Sequence, residues 1–110
     1  MGKFVKGDVV VVPFPFSDLT AAKRRPALVI APLTGDDVIL CQITSKSVFD
    51  SYAVFITKTD FASGGLPLDS YVRPNRLFTA DSNIVVYRAG TLTSPKVREV
   101  VAKIVEIVSA

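Results

Sequence analysis

The apolar residues of this 110-residue chain fall in short runs rich in valine and isoleucine, and each run ends at a glycine, a proline or a polar stretch. Nearly continuous apolar runs of this length are typical of β-strands that are buried on both faces. The pattern predicts six strands, over Asp8–Phe14, Arg25–Ala31, Val38–Thr44, Tyr52–Thr57, Ser70–Thr79 and Ile84–Arg88.

One helix is predicted at the carboxyl end, with Ser94 as its N-cap and Pro95 as its first helical residue. From Lys96 to Val108 the apolar residues cover an arc of about 160° on a helical wheel, wider than the ~100° stripe that faces one core. A deeply embedded helix and a helix that also contacts a second subunit both fit this arc. Strands followed by one helix predict a mainly β fold, a small curled antiparallel sheet or barrel with the helix packed on it.

Length and charge indicate a single domain over residues 1–110, with no internal repeat and no linker. No apolar run approaches the roughly 20 residues that a membrane span needs, and the amino terminus lacks the pattern of a signal peptide. The net charge of +3 is mild. It permits an anionic partner such as nucleic acid but does not by itself predict one.

The residue types that the chain lacks restrict its chemistry. It contains no histidine and no tryptophan, and its single cysteine, Cys41, lies in an apolar predicted strand. Zinc sites built from Cys and His, and nucleophile systems that need a histidine base, are therefore excluded. An enzyme with this composition would have to use Arg, Lys, Asp, Glu, Ser, Thr or Tyr. The lone apolar cysteine favours a reducing compartment, and the cytoplasm is the expected location.

Four segments stand in an order and at spacings that resemble the MazF/PemK family of toxins. They are Lys6–Val10, Lys23–Ile30, Gln42–Lys46 and Gly90–Pro95. The resemblance extends from about Lys6 to the carboxyl terminus, and its most specific part is the stretch Arg-Pro-Ala-Leu-Val-Ile within the second segment.

The resemblance implies an SH3-like barrel of the MazF/PemK/CcdB type with a carboxyl-terminal helix, usually in a homodimer. It implies an endoribonuclease that cleaves single-stranded RNA, including mRNA, without metal or other cofactor, and that a cognate antitoxin protein neutralises. The ribose 2′-oxygen attacks the adjacent phosphorus, which leaves a 2′,3′-cyclic phosphate and a 5′-hydroxyl. By motif match, the catalytic residues of the family correspond to Arg25 and Thr44.

The chemistry of these two side chains agrees with such a role. Arginine offers a planar fork of donors that suits a phosphate group, and Thr44 adds a hydroxyl. Proton transfer is harder to assign, because arginine is a poor base at neutral pH. Asp18, Lys23 and Lys46 are candidates for it. From the residues alone, Arg25 also fits a solvated side chain at a strand entrance, and Thr44 fits an ordinary strand residue.

RNA contacts are expected from the loop that precedes the second predicted strand and from the turn that follows the third. Phe16 is the candidate for stacking on an unpaired base, whereas Phe14 fits the core. The chain departs from common relatives over Ser17–Ala22 and Asn75–Thr79, and both changes bear on the cleavage sequence more than on the fold. The full set of RNA-binding candidates is Phe16, Ser17, Asp18, Lys23, Arg24, Ser45, Lys46 and Arg76.

Two alternatives share the expected fold. Toxins of the CcdB type bind a protein target, DNA gyrase, but end in Trp-Gly-Ile, whereas this chain ends in Val108-Ser109-Ala110. An inactive SH3-like binding module is the other alternative, because a fold does not guarantee an activity.

Overall fold

The computed structural model describes residues 3–15 and 22–110, which form a seven-stranded antiparallel sheet curled into a half-barrel and one α-helix. The mainly β fold with a carboxyl-terminal helix is thereby confirmed. The strands are β1 (Asp8–Pro15), β2 (Ala22–Pro32), β3 (Asp37–Thr44), β4 (Val54–Ile56), β5 (Phe61–Gly64), β6 (Ser70–Asp81) and β7 (Tyr87–Leu92), and the helix is α1 (Ser94–Ser109). Short 3₁₀ turns cover Lys58–Asp60 and Ser82–Ile84.

The order of the strands forces the sheet to curl. It runs β4-β6-β3-β2-β1-β7-β5, so five strand spacings separate β6 from β5. In a flat sheet that distance would be about 24 Å. The link between them, residues 65–69, spans at most about 20–22 Å from Gly64 to Ser70 when fully extended. The connection therefore requires a curved sheet, and Leu66 of the link packs against the same core cluster as α1.

The central strands are buried on both faces, as their apolar runs predicted. One face carries Val9, Leu28 and Cys41, and α1 covers it with Val97 and Val100. The alternate residues of the same strands form a second cluster on the opposite face, namely Val10, Val12, Ala27, Val29, Val38 and Leu40. Because successive side chains of a strand point to opposite faces, one run of apolar residues supplies both clusters.

Two predicted strands are wrong in their bounds, and local hydrogen bonds explain why. In place of a strand over Ile84–Arg88, the carboxylate of Asp81 accepts the N–H of Asn83 and caps a 3₁₀ turn. The next strand begins only at Tyr87. The predicted strand Tyr52–Thr57 is shorter, Val54–Ile56, because Asp50 accepts the N–H groups that precede it and holds them in a turn.

The helix also differs in detail from its prediction. Its N-cap is Thr93 rather than Ser94, which is the first helical residue. Only Val97 and Val100 are buried, whereas Val105 is 54% exposed and Val108 is 71% exposed. The last turn thus extends past the core that the first turns cover. Among the described residues, no helix combines the length and apolar character needed to cross a bilayer.

Two glycines allow β5 and β7 to approach closely. Gly64 has φ of +65°, a conformation that favours glycine, and it pairs with Gly90. A Cβ atom at Gly64 would overlap the backbone at Ala89 and Gly90. This contact fixes the strand from which the link 65–69 departs.

We expect Gly64→Ala to lower the free energy of unfolding by about 1–3 kcal/mol, because alanine is strained at positive φ and would also collide with backbone atoms. Urea denaturation would measure the change. Gly65→Ala is the matched control, since a Cβ there meets open space. Equal stability of the two variants would contradict the explanation.

Candidate active site

A cavity of about 490 Å³ opens at the junction of β2 and β3. Its apolar side chains are Val11, Pro26 and Ile43 from three adjacent strands, together with residues 66–68 of the link between β5 and β6. The link is held in place, because the hydroxyl of Ser70 donates a hydrogen bond of 2.9 Å to the carbonyl oxygen of Leu68. The cavity is therefore a direct product of the curled sheet.

The structure brings the two predicted catalytic residues together. The pairing of β2 with β3 ends with Ala27 opposite Gln42, and Arg25 and Thr44 each lie two residues beyond this pair, on the same side of their strands as Ala27 and Gln42. Opposite residues of an antiparallel pair point to the same face. Both residues line the cavity. Arg25 is half-buried, with its Nε atom shielded from solvent, and Thr44 is 7% exposed.

Thr44 has a further contact that fixes its hydroxyl oxygen. Its Oγ1 atom accepts a hydrogen bond of 3.2 Å from the backbone N–H of Lys46. A threonine hydroxyl carries one donor and two acceptor positions, so the O–H proton stays available to donate to a bound ligand. The same bond shapes the turn that carries Ser45 and Lys46, both exposed at the cavity.

The described residues that line this cavity are strongly cationic. They include Lys23, Arg24, Arg25 and Lys46, and no aspartate or glutamate is among them. Four positive groups around one concave surface raise the local concentration of anions. The arrangement suits a phosphodiester, which arginine can hold through two parallel hydrogen bonds.

The turn that follows β3 is anchored at its far end by Asp50. The Nη2 atom of Arg73 lies 3.2 Å from Oδ2 of this carboxylate, and Oδ1 accepts the N–H groups of Tyr52 and Ala53. Desolvation raises the pKa of Asp50, but these donors together outweigh it and hold the pKa below its usual value. The segment that carries Lys46 is thus fixed at both ends.

The other predicted RNA-binding residues are distributed differently. Phe16, Ser17 and Asp18 lie outside the described residues. Arg76 lines a separate groove of about 460 Å³, where the rings of Phe14 and Phe78 meet edge-to-face with their centroids 4.9 Å apart. Arg76 does not line the cavity of Arg25, and its role in RNA binding stays a prediction.

Two polar residues of the cavity, Ser70 and Tyr87, were missed by the sequence analysis. Tyr87 fell inside a predicted strand, where an aromatic residue fits ordinary packing, yet it is 55% exposed. Its position in the site follows from the pairing of β7 with β1, which sets it opposite Val11. No local sequence pattern carries that information.

Cys41 lies outside the cavity and has no part in it. It is fully buried, as predicted, and its thiol donates a hydrogen bond of 2.8 Å to the carbonyl oxygen of Arg73. Burial raises the pKa of this thiol to about 12, and the contact with Arg73 only partly offsets the effect. A thiol in this state is a poor nucleophile and a poor metal ligand.

The fold is that of known toxin structures. The chain superimposes with a TM-score of 0.77 on an endoribonuclease in complex with its cognate antitoxin from a mycobacterial species, at 14% identity and 96% and 95% coverage of the two chains. A MazE-MazF crystal structure from Deinococcus radiodurans gives a TM-score of 0.77, at 19% identity and 96% coverage of both chains. The Mycobacterium tuberculosis toxin MazF-mt6 gives 0.67, at 17% identity and coverage of 91% and 96%.

The family follows from the sequence itself. Residues 5–108 match the family model of the PemK-like, MazF-like toxins of type II toxin-antitoxin systems. This chain belongs to that family. Among curated protein sequences, none matches it significantly.

Proposed function

We propose that this chain is an endoribonuclease that cleaves single-stranded RNA without a metal ion, and that a cognate antitoxin inhibits it in the cytoplasm. The observation that carries the proposal is the cationic cavity in which Arg25 and Thr44 meet. Two solved structures of the same fold are described as endoribonucleases, which supports this activity for the present chain.

The proposed reaction is an attack of the ribose 2′-oxygen on the adjacent phosphorus. Negative charge develops on the phosphoryl oxygens, and donors already aimed at them lower the barrier. Arg25 holds these oxygens through its guanidinium group, whose half-buried position limits competition from water. Thr44 donates its hydroxyl proton to the same group, since its oxygen is already fixed by the N–H of Lys46. The products are a 2′,3′-cyclic phosphate and a 5′-hydroxyl.

RNA on either side of the scissile bond is bound by the exposed groups at the cavity rim. Lys23, Arg24 and Lys46 contact phosphates, and Ser45 adds a hydroxyl beside them. We assign further RNA contacts to Phe16, Ser17 and Asp18, which precede β2 in the chain, and to Arg76, which lines the second groove. Contacts to unpaired bases along this path make the cleavage sequence-selective.

Arg25→Ala should reduce RNA cleavage about 10²–10³-fold, the usual cost of removing one donor that stabilises transition-state charge. Thr44→Ala should reduce it less, because one neutral hydrogen bond is weaker than a charged fork. The rate would be measured on a long single-stranded RNA in the presence of EDTA.

Arg98→Ala is the matched control, since this arginine is exposed on α1 and does not line the cavity. Its cleavage rate should equal that of the wild type. Folded Arg25→Ala protein that cleaves at the wild-type rate would contradict the assignment. Folded wild-type protein that leaves RNA intact would favour the protein-binding alternative.

We also propose that the active form is a homodimer with RNA crossing the interface. The last turn of α1 supports this, because Val105 and Val108 are exposed at the end of an otherwise apolar face. Apolar side chains that extend past their own core are stabilised when a second subunit covers them.

Light scattering at micromolar concentration should give twice the 11.8 kDa mass of one chain. Val108→Lys should shift the protein toward the monomer, because it places a charge in the interface. Glu99→Lys, exposed on the side of the helix away from Val105 and Val108, should leave the mass unchanged. A wild-type protein that stays at the monomer mass would rule the homodimer out.

An antitoxin is expected to use the same cationic cavity as the RNA. An uncontrolled ribonuclease would degrade the messages of its own cell, so an inhibitor is required. Acidic side chains of a partly disordered protein suit Arg24, Arg25 and Lys46 for the same electrostatic reason as phosphates do.

We expect a short reading frame beside the gene to encode this antitoxin, and its product to compete with RNA. Fluorescence anisotropy of a labelled RNA, titrated with the purified antitoxin on inactive Arg25→Ala protein, would measure the competition. Lys46→Glu should weaken both ligands, whereas Lys58→Glu, exposed outside the cavity, should weaken neither. Tight antitoxin binding that leaves RNA bound would refute the shared surface but not the ribonuclease.

A further inference from the structure

The proposed reaction needs a group in the cavity that can donate a proton to the leaving oxygen. When the P–O5′ bond breaks, the leaving 5′-oxygen needs a proton, and an acid placed beside it speeds this step. Arginine does not release its proton in proteins. Among the described residues that line the cavity there is no carboxylate, and the remaining groups with an ionisable proton are Lys23, Lys46 and Tyr87.

Tyr87 lines the same cavity as Arg24 and Arg25 but comes from a different strand, β7. It lies opposite Val11 in the pairing of β7 with β1, and Val11 lies opposite Pro26 in the pairing of β1 with β2. These three residues share one face, and all three line the cavity. Two strand spacings, about 10 Å, therefore separate the backbone of Tyr87 from that of Pro26. Arg25, which precedes Pro26 and pairs with Val12, lines the same cavity. A phosphodiester bound in this cavity would have both the guanidinium of Arg25 and the phenol of Tyr87 in the surrounding wall.

The backbone at Tyr87 is fixed, whereas its hydroxyl is not used by the fold. The N–H of Val86 donates a hydrogen bond of 2.8 Å to the carbonyl oxygen of Val11, which sets the start of β7. The side chain of Tyr87 is 55% exposed, and its hydroxyl has no hydrogen-bond partner in residues 3–15 and 22–110. By contrast, Lys23 and Lys46 are exposed on long flexible stems at the rim. A phenol holds its proton at neutral pH and is a much stronger acid than the departing ribose alcohol.

We propose that Tyr87 is the general acid that protonates the leaving 5′-oxygen, an assignment that rests on the ribonuclease function proposed above. The O2′–P bond forms as the P–O5′ bond breaks, and the electron pair of the broken bond goes to the 5′-oxygen. That oxygen takes the phenolic proton of Tyr87, and the 2′-hydroxyl proton passes to water. The phenolate is stabilised by the cations that line the same cavity and regains its proton from water.

The test compares two short oligoribonucleotides that contain the preferred cleavage site, mapped first with wild-type protein. One carries the natural 5′-oxygen at the scissile bond, and the other carries sulfur there, which leaves as a thiolate and needs no proton. Tyr87→Phe should lower kcat on the oxygen substrate about 10²–10⁴-fold, with little change in KM. On the sulfur substrate it should cleave close to the wild-type rate.

Two variants serve as controls in the same assay. Tyr52→Phe alters an exposed tyrosine outside the cavity and should match the wild type on both substrates. Arg25→Ala should stay slow on both, because charge on the phosphoryl oxygens develops whichever atom leaves.

The assignment is overturned if Tyr87→Phe cleaves the oxygen substrate at the wild-type rate, or if it loses the same factor on both substrates. It is equally overturned if Lys23→Met or Lys46→Met, instead of Tyr87→Phe, cleaves the oxygen substrate slowly and the sulfur substrate close to the wild-type rate. In each of these cases wild-type cleavage still supports the ribonuclease function. If wild-type protein cleaves no RNA, both proposals are refuted together.

Discussion

The burial of β1, β2 and β3 on both faces is the constraint on which the rest of this structure depends. On one face the helix packs together with Val54, Ile56 and Leu92 of the outer strands, and on the other face Phe4, Phe14 and Phe78 pack against the buried residues. Burying a side chain of this kind fully stabilises the folded state by about 1.5–3 kcal/mol relative to leaving it exposed. Curling the sheet brings the outer strands onto the face that the helix covers, and the short link between β5 and β6 requires the same curvature.

The position of the site follows from this architecture, because the site lies at the end of the strands that are buried on both faces. Arg25 and Thr44 lie just beyond the last pair of β2 and β3, where their side chains line a cavity rather than the packed core. Both residues keep a rigid strand behind them and a partly shielded environment around them. A half-buried guanidinium interacts with a phosphate more strongly than one in water, since the effective dielectric constant is lower. The scaffold therefore contributes electrostatics as well as position.

How far the sequence predicts this structure varies with the kind of interaction involved. The central strands and the helix were predicted well, since their apolar periodicity reports burial directly. The bounds near Tyr52, Ile84 and Ser94 were wrong. Backbone N–H groups that donate to Asp50 and Asp81 set the first two, and the N-cap position falls on Thr93 rather than on Ser94. Such contacts compete with strand and helix pairing over one or two residues and leave little trace in a pattern.

The sequence by itself determined the class of fold, the family and the two residues expected to act on phosphate. It did so through short apolar runs, the Arg-Pro-Ala-Leu-Val-Ile stretch and the absence of histidine. Only the tertiary structure decided that Arg25 and Thr44 share one cavity, that Tyr87 joins them, and that Arg76 lies in a separate groove. The physical reason is that strand register links residues far apart in the chain. Tyr87 meets Val11 through backbone pairing, which depends on which strands are neighbours and not on any local preference of those residues.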